Sequence, residues 1–229
     1  MNTEEKDNDP APNVVVILCS PSYTPLTGYT GKWLEEVAVP TGIVEHRLTG
    51  GAVAFKGLID ERPEGEKKHI TIFCGHGIDE ALLGPPLNNE EDIQDRYGTR
   101  HSIIYGIDRF QPNPKVLFAF CCNSANSLGP RFKATPDASF LGYNGELNFV
   151  TCDEQCMATL KTIVKQVAEQ IIIDQDINQS HEVLLNDLYQ KAYDYYLSGP
   201  GRSNPYFWLM TMCLMQHKTL IRRYAGMSA

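Results

Sequence analysis

Two segments constrain this chain most: Ile70-Thr71-Ile72-Phe73-Cys74-Gly75-His76-Gly77 and Val116-Leu117-Phe118-Ala119-Phe120-Cys121-Cys122-Asn123-Ser124-Ala125. Each is a short apolar, β-prone run, the pattern of a strand covered on both faces in a parallel sheet. Each run stops abruptly at small residues beside a reactive side chain, an imidazole in the first and a thiol in the second. If the two strands are parallel neighbours, both groups emerge together at the carboxyl edge of the sheet, where open α/β sheets hold their active sites. A nucleophile and a base side by side make an acyl-transfer site.

The rest of the chain supports such a sheet. Val14–Leu18 is a continuous apolar run, and Ile43–Leu48 reads as a second strand; His69–Cys74 and Lys115–Phe120 are the third and fourth. Gly31–Val39 carries a short helical pattern ended by Pro40, and Ala52–Ile59 reads as a helix closed by Pro63 and Gly65. A further strand is expected around Phe140–Tyr143, before the turn signal Asn144-Gly145. Leu160, Ile163, Val164, Val167 and Ile171 mark an amphipathic helix over Met157–Ile173. Val183–Leu197 is a second such helix, and Phe207–Tyr224 a third with basic residues in its last turns. Tyr189, Tyr193, Tyr195 and Tyr196 are expected to pack a helix against the sheet.

The expected architecture is α/β, a three-layer sandwich around a mostly parallel central sheet. Residues 1–13, polar with two prolines, are expected to be a disordered tail, and 14–229 a single domain. Gly84–Pro114 is a long polar stretch that is either a lid or regulatory loop, or an insertion with its own hairpin.

A net charge of −8 without a basic run argues against nucleic acid as a partner. No apolar segment approaches the roughly 20 residues that span a bilayer, and the first nine residues lack the basic start and apolar stretch of a secretory signal. A cytoplasmic location without membrane association is expected. Seven cysteines is an odd number, which favours free thiols over a disulfide framework. Cys74, His76, Cys121, Cys122, Cys152 and Cys156 do not form the paired spacing of structural zinc sites, so neither metal nor other cofactor is expected. Cys152 and Cys156 are assigned to core packing; His46, His69, His101, His181 and His217 receive no role.

The thiolate is the form that attacks a carbonyl, and an adjacent imidazole can activate the thiol or protonate the leaving amine. Gly77 permits close approach of a substrate backbone and leaves an N–H to face a developing oxyanion. A strand ending in His76-Gly77, followed by one ending in Cys121-Cys122-Asn123-Ser124, resembles the caspase–legumain–gingipain clan of cysteine peptidases, nearest to its bacterial CHAT subgroup. Forty-six positions separate His76 from Cys122, against roughly 50 in caspases. The segment Phe140-Leu141-Gly142-Tyr143-Asn144-Gly145 is similar to the strand-turn that follows the nucleophile in that clan. The clan's pattern of a small residue before the nucleophile and Ser or Gly two after it fits Cys122 better than Cys121. Strand geometry also sends the two thiols to opposite faces, so one alone reaches a cleft.

The resemblance implies a caspase-hemoglobinase-like fold and a cysteine endopeptidase, with Cys122 as nucleophile and His76 as proton-transferring partner. The backbone N–H groups of Gly77 and Cys122 would form the oxyanion hole, and a protein or peptide would be the substrate. It further implies a regulatory partner or activating ligand, and a context in bacterial antiviral defence or cell death. Phe120 stands where the clan carries a polar residue that helps build the specificity pocket, and with Tyr143 it is placed in the substrate cleft. Glu146 and Asp153 are either an acidic wall favouring a basic substrate residue or two solvated loop carboxylates. The short segment between Cys122 and Ser139 lacks the cleavable linker of caspases. The alternatives are a catalytically inactive binding or scaffold module on the same fold, and an unrelated α/β hydrolase or transferase with a thiol nucleophile.

Overall fold

The computed structural model describes residues 14–21, 24–49, 68–79, 81–86, 93–94, 100–106 and 116–227. The expected tail over residues 1–13 and the expected helix over 52–59 lie outside them. The described elements are β1 (Val14–Ser20), α1 (Pro25–Glu35), β2 (Val44–Thr49), β3 (Lys68–Cys74), β4 (His76–Ile78), β5 (Ala81–Pro86), β6 (Ile93–Gln94), β7 (Arg100–Gly106) and β8 (Val116–Phe120). They continue with α2 (Ser124–Lys133), β9 (Ser139–Tyr143), α3 (Glu154–Asp174), α4 (Gln179–Leu197), a 3₁₀ turn (Pro200–Ser203), α5 (Phe207–Leu220) and β10 (Ile221–Ala225).

Six strands form the central sheet in the order β10-β9-β8-β3-β1-β2. All neighbouring pairs are parallel except β10 with β9. Because each strand alternates its side chains, two cores arise on its two faces. Val16, Leu18, Ile70, Ile72, Val116, Phe118 and Leu141 point to one, where Trp33 of α1, Val164 and Val167 of α3, and Tyr189 of α4 cover them. Val15, Ile17, Phe73, Leu117, Ala119 and Phe140 point to the other, under Ala125, Leu128 and Phe132 of α2 and Leu82 of β5. Burial on both faces explains why these strands read as unbroken apolar runs. The result is the three-layer α/β sandwich expected from the sequence.

A second, antiparallel sheet of order β4-β5-β7-β6 takes up part of the polar stretch 84–114. The hairpin alternative therefore fits the described part of that segment.

Two helices depart from expectation. The one expected over Gly31–Val39 lies over Pro25–Glu35 and ends ahead of Pro40. The helix expected over Phe207–Tyr224 stops at Leu220, and Ile221–Ala225 instead pairs antiparallel with β9. Ile221 and Tyr224 are β-prone and lie where β9 would otherwise present unpaired backbone groups, so edge pairing overrides helical continuation. No helix among the described residues is long and apolar enough to cross a membrane.

Candidate active site

The two reactive residues sit on adjacent strands in matched register. Cys74 of β3 pairs with Phe120 of β8, and the Gly75 N–H donates to the Phe120 carbonyl at 3.4 Å. His76 and Cys122 thus follow at equal distances beyond the last paired residues, at the carboxyl edge of the sheet. Past that point the chain of Gly77 lies directly on the cysteine turn. A Cβ placed on Gly77 would stand 2.4 Å from the Cys122 carbonyl oxygen and 2.8 Å from Cys121 Sγ. Only a residue without a side chain permits this approach. Farther along, Asn126 Nδ2 of α2 donates to Asp79 Oδ1 at 2.9 Å, pinning the histidine segment to the helix that follows the thiol.

The turn from β8 into α2 presents Cys122. Asn123 adopts a left-handed conformation (φ 56°), which Asn tolerates better than most residues, and its N–H donates to the Gly145 carbonyl at 2.9 Å. The chain bends sharply there and enters α2 one residue later. Ser124, fully buried, braces the bend. Its Oγ lies 3.3 Å from the carbonyls of Ala119 and Cys121 and accepts the Tyr143 N–H at 3.2 Å.

The two thiols part as strand geometry requires. Cys121 continues the alternation of β8 into the core beneath α2, and burial, reinforced by the neighbouring Cys122, pushes its thiol well above the usual cysteine range. Burial likewise raises the Cys19 and Cys74 thiols, and those of Cys156 and Cys213 to about 12. Cys122 is only half-buried, and Cys152 is exposed. None of the seven cysteines is joined to another as a disulfide. Two features of the Cys122 environment favour a thiolate: it lies beside the amino end of α2, and the Leu147 N–H donates to its Sγ at 3.2 Å.

His76 is half-buried, and its Nε2 lies 3.2 Å from Thr24 Oγ1 in the segment leading into α1. That contact fixes the orientation of the ring. Neither Thr24 nor Leu147 carries a signal in the sequence: one is a common hydroxyl in a loop, the other acts through its main chain.

Two residues expected to touch substrate do not line a cleft. Phe120 and Tyr143 are fully buried in the core. Phe120 packs edge-on against Tyr143 and Phe149 and tilted against Trp33, and the Tyr143 hydroxyl meets that of Tyr189 at 2.9 Å. Their strand positions point them under α5, opposite to α2, where apolar burial outweighs exposure to a groove. Asp153 is the amino-terminal cap of α3, its Oδ1 accepting from the Cys156 N–H at 2.8 Å and from Asn204 Nδ2 at 3.1 Å. Those hydrogen bonds, the Cys156 N–H first, hold its carboxyl below the usual range. The cap accounts for Asp153 without a pocket. Glu146 is exposed on the segment beside Leu147, whose N–H meets the thiol.

Among the described residues no group of three or more His, Cys, Asp or Glu side chains is placed to hold a metal ion. No family model matches the chain, and no curated protein is significantly similar to it.

Proposed function

We propose that this chain is a cysteine peptidase of the caspase-like type, with Cys122 as nucleophile and His76 as its proton-transferring partner. The observation that carries this is the matched register of β3 and β8, which delivers His76 and Cys122 to neighbouring positions at one sheet edge with Gly77 packed on the thiol turn. Of the two adjacent cysteines, the accessible one also receives a main-chain N–H.

In the proposed reaction Cys122 Sγ attacks a peptide carbonyl, and a C–S bond forms as the carbonyl becomes an oxyanion. The Gly77 and Cys122 N–H groups are assigned to that oxyanion. Thr24 orients the His76 ring through Nε2, and the imidazole is assigned the proton that passes from the Cys122 thiol to the departing amine. The C–N bond breaks, leaving a thioester on Cys122. Water, deprotonated by His76, then attacks the thioester carbonyl; the acid product leaves and the thiol is restored. Glu146, exposed beside Leu147, is assigned the role of favouring a basic residue near the cut. A protein or peptide substrate, a cytoplasmic setting, a regulatory partner and a role in bacterial defence belong to the same proposal.

The test is to treat the protein with iodoacetamide and, separately, with a peptide acyloxymethyl ketone, then map the modified cysteines. Cys122 is expected to react selectively, less so in His76→Ala, and Cys122→Ala is expected to abolish cleavage of a peptide library. Uniform labelling of Cys122 and Cys152, independent of His76, would instead support the inactive binding module.

A further inference from the structure

The segment 144–150 that lays the Leu147 N–H on the thiol is held in place from behind by a single helix face. The Asn148 carbonyl, one residue on, accepts from His217 Nε2 at 2.8 Å and from Cys213 Sγ at 2.7 Å. Asn148 Nδ2 donates to Gln216 Oε1 at 2.8 Å. All three partners belong to α5.

His217 is the member of this clamp that the sequence left without a role. It is fully buried, with the rings of Phe120, Tyr143, Phe149 and Tyr189 set edge-on around it. A carbonyl only accepts, so Nε2 carries the hydrogen. Nδ1 then accepts from the Tyr189 hydroxyl at 3.3 Å, and the Tyr189 oxygen accepts from the Tyr143 hydroxyl at 2.9 Å. One neutral tautomer, assigned from these partners, satisfies the whole row. A phenyl ring would fill the same aromatic cavity without any polar atom to satisfy. What the imidazole adds is a fixed N–H on the Asn148 carbonyl.

We propose that His217 is a positioning residue for Cys122: by gripping the Asn148 carbonyl, it keeps the Leu147 N–H on Sγ, where that N–H favours the thiolate. This rests on the assignment of Cys122 as nucleophile. His217 touches neither thiol nor substrate; it acts through two residues of main chain.

The experiment measures iodoacetamide alkylation of Cys122 against pH in the full chain by mass spectrometry, with the exposed Cys152 as an internal reference. In the wild type Cys122 is expected to outpace Cys152 near neutral pH. His217→Phe, which keeps the ring volume, is expected to slow Cys122 roughly tenfold, the change one hydrogen bond to a charged group makes, and to move its profile to higher pH. His217→Gln, which retains an N–H donor, is expected to recover most of the loss. Tyr189→Phe, which frees Nδ1, is expected to shift the profile the same way by a smaller factor, and with His217→Gln it carries the test if the phenylalanine variant does not fold. A fast wild-type Cys122 with unchanged profiles in the folded variants would overturn the positioning role while leaving the nucleophile in place. A wild-type Cys122 no faster than Cys152 would overturn both.

Discussion

Replacing Gly77 by alanine probes the closest contact at the site. The added Cβ would lie 2.4 Å from the Cys122 carbonyl oxygen, whereas ordinary contact begins at 3.4 Å. About 1 Å of separation must therefore open between the histidine segment and the thiol turn. The obstructing atom is main chain, so no side-chain rotation relieves the clash. A second contact, 2.8 Å to the buried Cys121 Sγ, pushes in the same sense. Displacement of about 1 Å between catalytic groups costs on the order of 100-fold in rate, and overpacking costs roughly 1–3 kcal/mol in stability. On the proposed peptidase reading, the assay is cleavage of a peptide substrate drawn from a library, read as kcat and KM, beside chemical denaturation. The rate is expected to fall about 100-fold, mainly in kcat, with the fold retained. Gly31→Ala serves as the control: its Cβ would meet Ser20 Oγ of β1 at 3.5 Å, an ordinary contact, and helix propensity favours alanine at this position of α1 by up to about 1 kcal/mol. Activity of Gly77→Ala within about threefold of wild type would refute the argument, because the chain would then have absorbed a movement that Cys122-His76 chemistry cannot tolerate.

Two further outcomes follow from buried polar groups. Ser124→Ala leaves the buried Tyr143 N–H without the Oγ it donates to. Urea denaturation is expected to show a loss of roughly 1–3 kcal/mol, and a loss below about 0.5 kcal/mol would contradict the bracing role. His217 stays neutral farther into acid than a free histidine: burial lowers its pKa to about 4, against 6.5 for the free group. As pH falls below 6.5 the unfolded chain binds this proton first, so stability drops until about pH 4 and is independent of this group above about pH 7. The wild type is expected to lose about 3 kcal/mol more than His217→Gln between about pH 7 and pH 4. Parallel stability curves for the two proteins across that range would rule this out.

The central sheet was legible because its signals are local. Strands covered on both faces need apolar residues at successive positions, so Val14–Leu18 and Val116–Phe120 announce themselves, and the 3.6-residue period of Leu160 to Ile171 marks α3. His76 and Cys122 stood out for a similar reason, each a reactive side chain among small neighbours at a strand end. Their adjacency was an inference from that pattern, and it took the pairing of Cys74 with Phe120 to supply it.

Side-chain direction and main-chain contacts belong to the tertiary structure alone. Phe120 lies two residues before Cys122 and Tyr143 just before the Asn144-Gly145 turn, yet the cover of α5 turns their faces of β8 and β9 into core. Ile221–Ala225 continues a helical pattern until the open edge of β9 claims it as a strand. Cys122, the adjoining Leu147 N–H and Asn148 carbonyl, and the His217 that grips that carbonyl come from three stretches far apart along the chain. Every residue but proline carries the same main-chain donor and acceptor, so no residue type could mark them; only the folded chain decides which of those groups meets a thiol.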